Sequence, residues 1–297
     1  MKKRLFNIVE EYYLSFDFNN LREETKVQYK YFIGVFLDTE IDTVKLGSIN
    51  FSDVTTKLAK LSYEQWCERG IHQANHVMSV ARIIYNYGIH MEYCNVNPFS
   101  NIKKRTPEPR KVVWSKEDVI NFLNVAYSEF RYRSLGLIVQ MAYEWCQRLG
   151  DMRTLTWDAL DLQDKKAHIV QSKRRAEVFL PISDNLNKML LRQQEDFGFQ
   201  KYVAPRPRPK RGSYEPYSLT KLPVIGRQIM NEAGLSKELR LADLRRTGTT
   251  EMVDAGVSMG NIMSVTGHAN PQSVKPYMKN TLTSAKLALN TRNNLTG

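Results

Sequence analysis

The sequence predicts a mainly α-helical protein with a small β-sheet, in which a helical domain precedes an α+β domain. Apolar residues recur at helical spacing in residues 23–37 and 74–88, and both stripes are expected to face a core. Two short runs of strand composition, 167–171 and 177–182, flank a basic tip and indicate a hairpin. The segment KKRTPEPRK at 103–111 has two prolines, five basic residues and no apolar anchor, which is typical of a linker.

The composition points to a globular protein with a polyanionic partner. The 297 residues suffice for two domains, and a hydrophobic fraction of 42% is enough to bury a core in each. A net charge of +12 favours nucleic acid or an anionic membrane surface as the partner. No apolar run approaches the ~18 residues of a spanning helix, and Glu10 and Glu11 interrupt the apolar start too early for a signal peptide. We therefore expect a soluble, cytoplasmic protein.

The positive charge is concentrated in the second half of the chain. Residues 1–105 hold 14 Lys and Arg against 12 Asp and Glu, whereas the remainder holds 29 against 19. We predict a helical domain at 1–102, a basic linker at 103–112 and a second domain with a C-terminal tail at 113–297. Two interpretations of the linker are equally good: it lies along a nucleic-acid backbone and contacts it, or it only connects the two domains and is surrounded by solvent. Its backbone-contacting residues would be Lys103, Lys104 and Arg105.

The sequence offers no metal or cofactor motif. Three cysteines without a CxxC pair indicate neither a disulfide framework nor a zinc site. His72 and His76 come close to a zinc-binding HExxH pair, but Gln73 stands where the general base would need a carboxylate. The chain also lacks a Walker loop and a GxGxxG turn. We therefore expect no cofactor and no metal.

The second domain is expected to begin at a capping box and to place an arginine at the end of a buried helix. Ser115 and Asp118 have the spacing of a capping box. Arg148 follows the apolar helix predicted at 135–145, which is a costly position for a charge unless it is paired. Asp151 is the candidate partner. The pair is either purely structural, or the guanidinium also contacts a phosphate on its far side.

The pattern of residues 241–280 indicates a site that binds phosphate and acts on it. Arg245 and Arg246 lie near the start of a predicted helix, and Gly267 fits the left-handed position that closes the next helix. His268 then follows a helix end, and Pro276 removes a backbone donor just before Tyr277. Taken singly, these residues could be a solvated basic face, a capping histidine and a surface tyrosine; their order and spacing favour the site.

The ordered set carries a family resemblance. An acidic residue, Asp151, stands three residues after Arg148, and Lys173 lies in the predicted hairpin. These are followed along the chain by Ala242-x-x-Arg245, Gly267-His268 and Tyr277. This set resembles the tyrosine recombinase (phage integrase) family over residues 115–280, and the N-terminal half looks like the core-binding domain of that family. The resemblance implies a C-shaped clamp around duplex DNA attachment sites, a homotetramer in the recombination synapse and accessory DNA-bending or directionality proteins. It also implies a bacterial or phage-encoded, nucleoid-associated protein.

The resemblance implies a role for each site residue. Arg148 and Arg245 would neutralise charge on the scissile phosphate, with Asp151 in support, and His268 would add a donor. Lys173 would protonate the leaving 5′ oxygen, and Tyr277 would form a 3′-phosphotyrosyl link without metal or ATP. Further DNA contacts are expected from Arg174, Arg175 and Arg246.

Two departures from the family accompany the resemblance. Ala242 stands where the family usually has histidine, so Arg240 or Arg246 substitutes, the enzyme is slow, or the residue was engineered. The chain also starts directly on the core-binding-like region, so we expect no N-terminal arm-binding domain. Two alternatives to a recombinase stay open: a type IB topoisomerase-like enzyme and a DNA-binding protein whose site has decayed.

Overall fold

The computed structural model describes residues 3–173, 175–277, 285–286, 289–290 and 292–293. The chain divides into two compact units, residues 1–110 and residues 111–297. Helices dominate both units, and each unit has one small antiparallel sheet among its described residues. The predicted fold class is thus confirmed.

The first unit is a helical bundle with a two-stranded hairpin. Its elements are α1 (Leu5–Leu14), α2 (Phe16–Asn19), α3 (Glu23–Leu37), β1 (Glu40–Ile41), β2 (Val44–Lys45), α4 (Thr56–Arg69) and α5 (Ile71–His90). The apolar stripe of α5 is buried as predicted, from Val77 to Tyr85. In α3 the prediction is only half right, because Phe36 is buried whereas Val27 and Tyr31 are 67% and 60% exposed.

The start of the predicted linker is attached to the first unit. The backbone nitrogen of Arg105 donates to the Tyr63 hydroxyl at 2.7 Å, and its carbonyl accepts from the Asn75 amide at 2.8 Å. The Lys104 ammonium donates to the Ser79 hydroxyl at 2.5 Å. Burial and the nearby charge of Arg82 lower the pKa of Lys104. Lys103 and Arg105 are exposed, whereas Lys104 is half-buried.

The second unit packs its helices around one buried helix and a three-stranded sheet. Its elements are α6 (Lys116–Ser128), α7 (Phe130–Glu144), α8 (Leu149–Met152), β3 (Leu160–Asp161), β4 (Lys166–Val170), β5 (Glu177–Pro181), α9 (Asp184–Phe197), α10 (Lys221–Glu232), α11 (Leu244–Asp254) and α12 (Met259–Thr266). The predicted capping box at Ser115 and Asp118 begins α6. Helix α7 is buried from Tyr132 to Ala142 and packs against α6, α9 and α11.

Local structure brings the predicted site residues to the ends of these elements. Helix α7 ends at Glu144, and Arg148 is the N-cap residue of α8. Strands β4 and β5 pair out to Val170 opposite Glu177, so residues 171–176 form the tip of the predicted hairpin. Gly267 closes α12 with φ 68°, as predicted from the sequence. Tyr277 ends the single helical turn Lys275–Tyr277.

Among the helices that the structure describes, none combines the length and the apolar composition of a membrane span.

Candidate active site

Arg245 is the central side chain of a cluster in the second unit. It lies in the first turn of α11, where its Nη2 donates to the Thr266 carbonyl at 2.8 Å and contacts His268 Nε2 at 3.1 Å. Its Nη1 is buried and has no hydrogen-bond partner among the described residues. Burial, followed by the charge of Arg148, lowers the pKa of Arg245 to about 10, which leaves the guanidinium charged at neutral pH. A half-buried cation with a buried, unpaired donor is suited to bind an anion.

The hydrogen bonds around His268 define its tautomer. The Thr266 hydroxyl donates to the Ile262 carbonyl at 2.7 Å, so it accepts a hydrogen bond from His268 Nδ1, also at 2.7 Å. His268 therefore carries its proton on Nδ1, and its Nε2 lone pair accepts from Arg245. In this state the imidazole orients the Arg245 guanidinium.

Tyr277 contacts this cluster through its ring. The centres of the Tyr277 and His268 rings are 6.2 Å apart, with the ring planes tilted by 41°. The guanidinium carbon of Arg246 lies 5.2 Å from the Tyr277 ring centre. Tyr277 is half-buried, so its ring is held by protein contacts while part of the side chain faces solvent.

Arg148 is held next to the hairpin tip. Its Nη1 donates to the Gln171 side-chain oxygen at 2.9 Å and lies 3.6 Å from Asp151 Oδ2. Asp151 Oδ1 accepts from both the backbone nitrogen and the hydroxyl of Ser172, at 3.0 and 2.6 Å. The predicted pairing of Arg148 with Asp151 therefore exists. Because the Arg148 side chain is still 28% exposed, the guanidinium can reach a ligand as well.

Lys173 and Arg175 lie at the exposed hairpin tip. No contact of the described residues connects the Lys173 side chain to Arg148, Arg245 and His268, which together form the arginine cluster. Lys173 nevertheless lies only two residues after Gln171, which contacts Arg148. Arg175 has φ 54°, and its backbone nitrogen donates to the Gln171 carbonyl at 3.0 Å. Arg174, the remaining predicted contact of the tip, lies outside the described residues.

Ala242 is exposed in the single helical turn that precedes α11. Of its two candidate substitutes, Arg240 has its backbone nitrogen bonded to Asp243 and its carbonyl bonded to the Trp114 indole, at 3.0 Å each. Arg246 instead contacts Tyr277 through its guanidinium. Of the two, Arg246 is thus the one whose charged group is shown beside the predicted nucleophile.

Sequence reasoning missed a basic loop at 205–217. Its tip is closed by reciprocal backbone hydrogen bonds between Lys210 and Ser213 at 2.8 and 3.0 Å. Arg153, directly after α8, donates to the carbonyl of Tyr217 at 3.0 Å and so holds the base of the loop. The exposed basic residues of this loop are Arg208, Lys210 and Arg211. The alternation of proline with basic residues in PRPRPKR was the available signal.

Gln171 was also missed, although its side chain contacts Arg148. Glutamine after a strand carries no local signal of such a role. Among the described residues there is no group of three or more His, Cys, Asp and Glu that could hold a metal ion.

Comparison with known proteins places the chain in a family. The phage integrase family model matches residues 114–283, which is more than half of the chain. The protein therefore belongs to the phage integrase family, the tyrosine recombinases. Comparison with curated proteins finds no match.

Solved structures share the fold at low sequence identity. A lambda integrase dimer bound to a COC′ core site has a TM-score of 0.73 and 17% identity, covering 93% of this chain and 76% of that one. A lambda integrase tetramer bound to a Holliday junction has a TM-score of 0.75 and 17% identity, covering 94% and 78%. The Tn1549 transposon integrase in complex with a circular intermediate DNA has a TM-score of 0.76 and 14% identity, covering 97% and 99%.

Proposed function

We propose that this protein is a site-specific DNA recombinase that cleaves and rejoins duplex DNA through a 3′-phosphotyrosyl intermediate. The observation that carries the proposal is the single cluster in which Arg245 contacts His268 and His268 contacts Tyr277. Arg148 is close enough for its charge to depress the pKa of Arg245. Two guanidinium groups in one cluster repel each other, and the single carboxylate of Asp151, 3.6 Å from Arg148, balances only one of the two charges, so the cluster is suited to bind a further anion.

A phosphodiester fits this arrangement. Attack by the Tyr277 oxygen on phosphorus builds negative charge on the nonbridging oxygens, and preorganised donors aimed at that charge are each worth about 3 kcal/mol. The free Nη1 of Arg245 and the exposed part of Arg148 supply such donors. His268 orients Arg245 through the hydrogen bond that its Nε2 accepts from Nη2.

The remaining steps concern the two bridging oxygens. The bond from phosphorus to the 5′ oxygen breaks as the bond to Tyr277 forms, and Lys173 gives a proton to the leaving 5′ oxygen. The Tyr277 proton passes to water. Ala242 cannot accept that proton, and the role we assign to Arg246, whose guanidinium lies over the phenol ring, is to position Tyr277 for attack. The 5′ hydroxyl of a second strand then reverses the step.

The same proposal covers partners and biological role. We assign this chain to integration of a phage or another mobile element, acting as a homotetramer on paired attachment sites with accessory DNA-bending or directionality proteins. Support comes from family membership and from two similar solved structures, the lambda integrase tetramer on a Holliday junction and the Tn1549 transposon integrase on DNA. The exposed Ala242 favours a second candidate, a DNA-binding protein that no longer cleaves.

A trapping experiment tests the proposal. Duplexes selected from a random-sequence library for binding would be re-made with a nick beside each candidate cleavage position, so that the short fragment carrying the released 5′ hydroxyl diffuses away after cleavage. We expect a covalent adduct with the wild-type chain and none with Tyr277→Phe, while duplex affinity changes by less than about twofold because backbone contacts dominate it. Binding without any adduct would support the decayed protein. Relaxation of supercoiled DNA without sequence preference would support the topoisomerase-like alternative.

A further inference from the structure

We propose that Gln171 is a positioning residue that makes the phosphate site depend on the hairpin tip. Its buried amide holds Arg148 on one side and the turn before His268 on the other. The inference rests on the proposed function, in which these residues bind the scissile phosphate. It adds a group that does not touch DNA but determines where both arginines lie.

The Gln171 side chain is fully buried and uses both ends of its amide. Its oxygen accepts from Arg148 Nη1 at 2.9 Å. Its nitrogen donates to the Gln147 side-chain oxygen at 2.7 Å and to the Thr266 carbonyl at 2.8 Å. Because both amide hydrogens and one oxygen lone pair are engaged, the orientation of the amide is determined by these partners. Leucine or alanine here would leave buried polar groups unpaired.

The Thr266 carbonyl joins Gln171 to the second arginine. That oxygen accepts from Gln171 Nε2 at 2.8 Å and from Arg245 Nη2 at 2.8 Å. A continuous chain of hydrogen bonds therefore runs from Arg148 through Gln171 and Thr266 to Arg245. Displacing Gln171 would affect the positions of both guanidinium groups.

The backbone of Gln171 closes the hairpin tip that carries Lys173. Its nitrogen donates to the Ala176 carbonyl at 2.9 Å, and its carbonyl accepts from the Arg175 nitrogen at 3.0 Å. One residue thus bonds to the tip through its backbone and to the arginine cluster through its side chain. Any change of tip conformation is transmitted to Arg148.

Gly267 shows how closely this contact is packed. A Cβ atom at Gly267 would lie 2.5 Å from Gln171 Nε2, closer than real Cβ atoms approach. The φ of 68° is a second reason for glycine there. The turn that leads into His268 is therefore shaped against the Gln171 amide.

The test compares Gln171 with a matched glutamine elsewhere in the same unit. Gln193 is also fully buried, accepts from Arg133 Nε at 2.9 Å and donates to the Ser134 hydroxyl and the Val203 carbonyl. None of these partners belongs to the arginine cluster. The Gln171→Ala and Gln193→Ala variants of the 297-residue chain would be compared in single-turnover cleavage of the nicked duplex at saturating protein.

We expect Gln171→Ala to cleave on the order of 10²-fold more slowly than Gln193→Ala at a similar melting temperature, because a donor to the transition state is displaced. Gln171→Glu serves if the alanine variant does not fold. It keeps the acceptor for Arg148 but points a carboxylate oxygen at two acceptor oxygens, and we expect a comparable loss. Equal rates for Gln171→Ala and Gln193→Ala would overturn the proposal.

Two modified substrates separate positioning of the arginines from action through Lys173. A neutral methylphosphonate at the scissile position needs less charge stabilisation, so we expect the Gln171→Ala defect to shrink to within about tenfold of the control. A bridging 5′ sulfur leaves without protonation, so it should rescue Lys173→Ala but not Gln171→Ala. Rescue of Gln171→Ala by the sulfur substrate alone would overturn the assignment.

An anion-binding measurement keeps this inference separate from the proposed function. If the wild-type chain forms no adduct, the proposed function fails, and the sulfate-induced rise in melting temperature then tests Gln171 by itself. We expect sulfate to stabilise the wild type and Gln193→Ala more than Gln171→Ala. An equal rise in all three proteins would overturn the inference.

Discussion

The guanidinium carbon of Arg246 lies 5.2 Å from the centre of the Tyr277 ring. A cation over an aromatic face contributes about 0.5–1 kcal/mol at an exposed site and about 2 kcal/mol when desolvated. Both residues are half-buried, so the contact lies between these limits. It holds the proposed nucleophile close to His268 in a protein whose Ala242 cannot make the usual histidine contact.

Replacing Arg246 should therefore impair chemistry more than binding. We expect Arg246→Ala to lower the rate of single-turnover cleavage by about tenfold or more. Duplex affinity should fall only as far as the loss of one phosphate contact explains. Arg240→Ala is the control, because its described contacts are made by its backbone. A larger cleavage defect in Arg240→Ala than in Arg246→Ala would mean that the substitute has been misassigned.

Ala242→His tests whether the site is incomplete. The position is exposed and lies one helical turn before Arg245, so we expect the melting temperature to stay unchanged and the cleavage rate to rise by about tenfold. An unchanged rate, combined with a loss in Arg246→Ala, would show that Arg246 has already taken over the contact. A large drop in melting temperature would contradict the exposed position of residue 242.

Arg148→Ala and Arg245→Ala should each lower cleavage by about 10²–10³-fold at saturating protein, beyond any loss of affinity, because both groups are proposed to act on transition-state charge. Arg245→Lys should also be impaired, since an ammonium cannot donate to Thr266, His268 and a phosphate in the geometry of the planar fork. Wild-type cleavage by either alanine variant would reduce that arginine to a structural role.

DNA binding should weaken steeply with salt. The slope of the logarithm of the binding constant against the logarithm of the salt concentration should correspond to roughly six to ten phosphate contacts. Removing the charges of Lys103 and Arg105 should flatten the slope without changing sequence preference. Lys104→Ala should change it less, because its ammonium is half-buried and bonded to Ser79.

The basic loop at 205–217 is expected to contribute to the same slope. Combined replacement of Arg208, Lys210 and Arg211 should flatten it further. Lys45, which is paired with Asp38 at 3.0 Å on the first unit, provides a surface-lysine control. Salt-independent binding of the wild type would contradict the proposed backbone contacts.

The sequence by itself determined the fold class, the order of the site residues and the local caps. The proposed transfer of a phosphoryl group to tyrosine requires particular residue types, and candidates for them could be named in order from Arg148 to Tyr277 without knowing their positions in space. The capping box at Ser115 and the left-handed Gly267 follow from rules that act within a few residues. The fold class, the capping box and the turn at Gly267 were therefore predicted correctly.

Only the tertiary structure decided which side chains meet. Gln171 and Thr266 are 95 residues apart in the chain, and their hydrogen bond exists because the hairpin tip packs against the end of α12. The contact of Arg246 with Tyr277 likewise depends on how α11 packs against the turn that ends at Tyr277. In α3, helical spacing identified the apolar residues but not the face that is buried. Val27 and Tyr31 were therefore expected in the core, whereas the packing of the helix leaves them exposed. Periodicity and motif spacing describe neighbours along the chain, whereas these contacts arise from packing between distant segments.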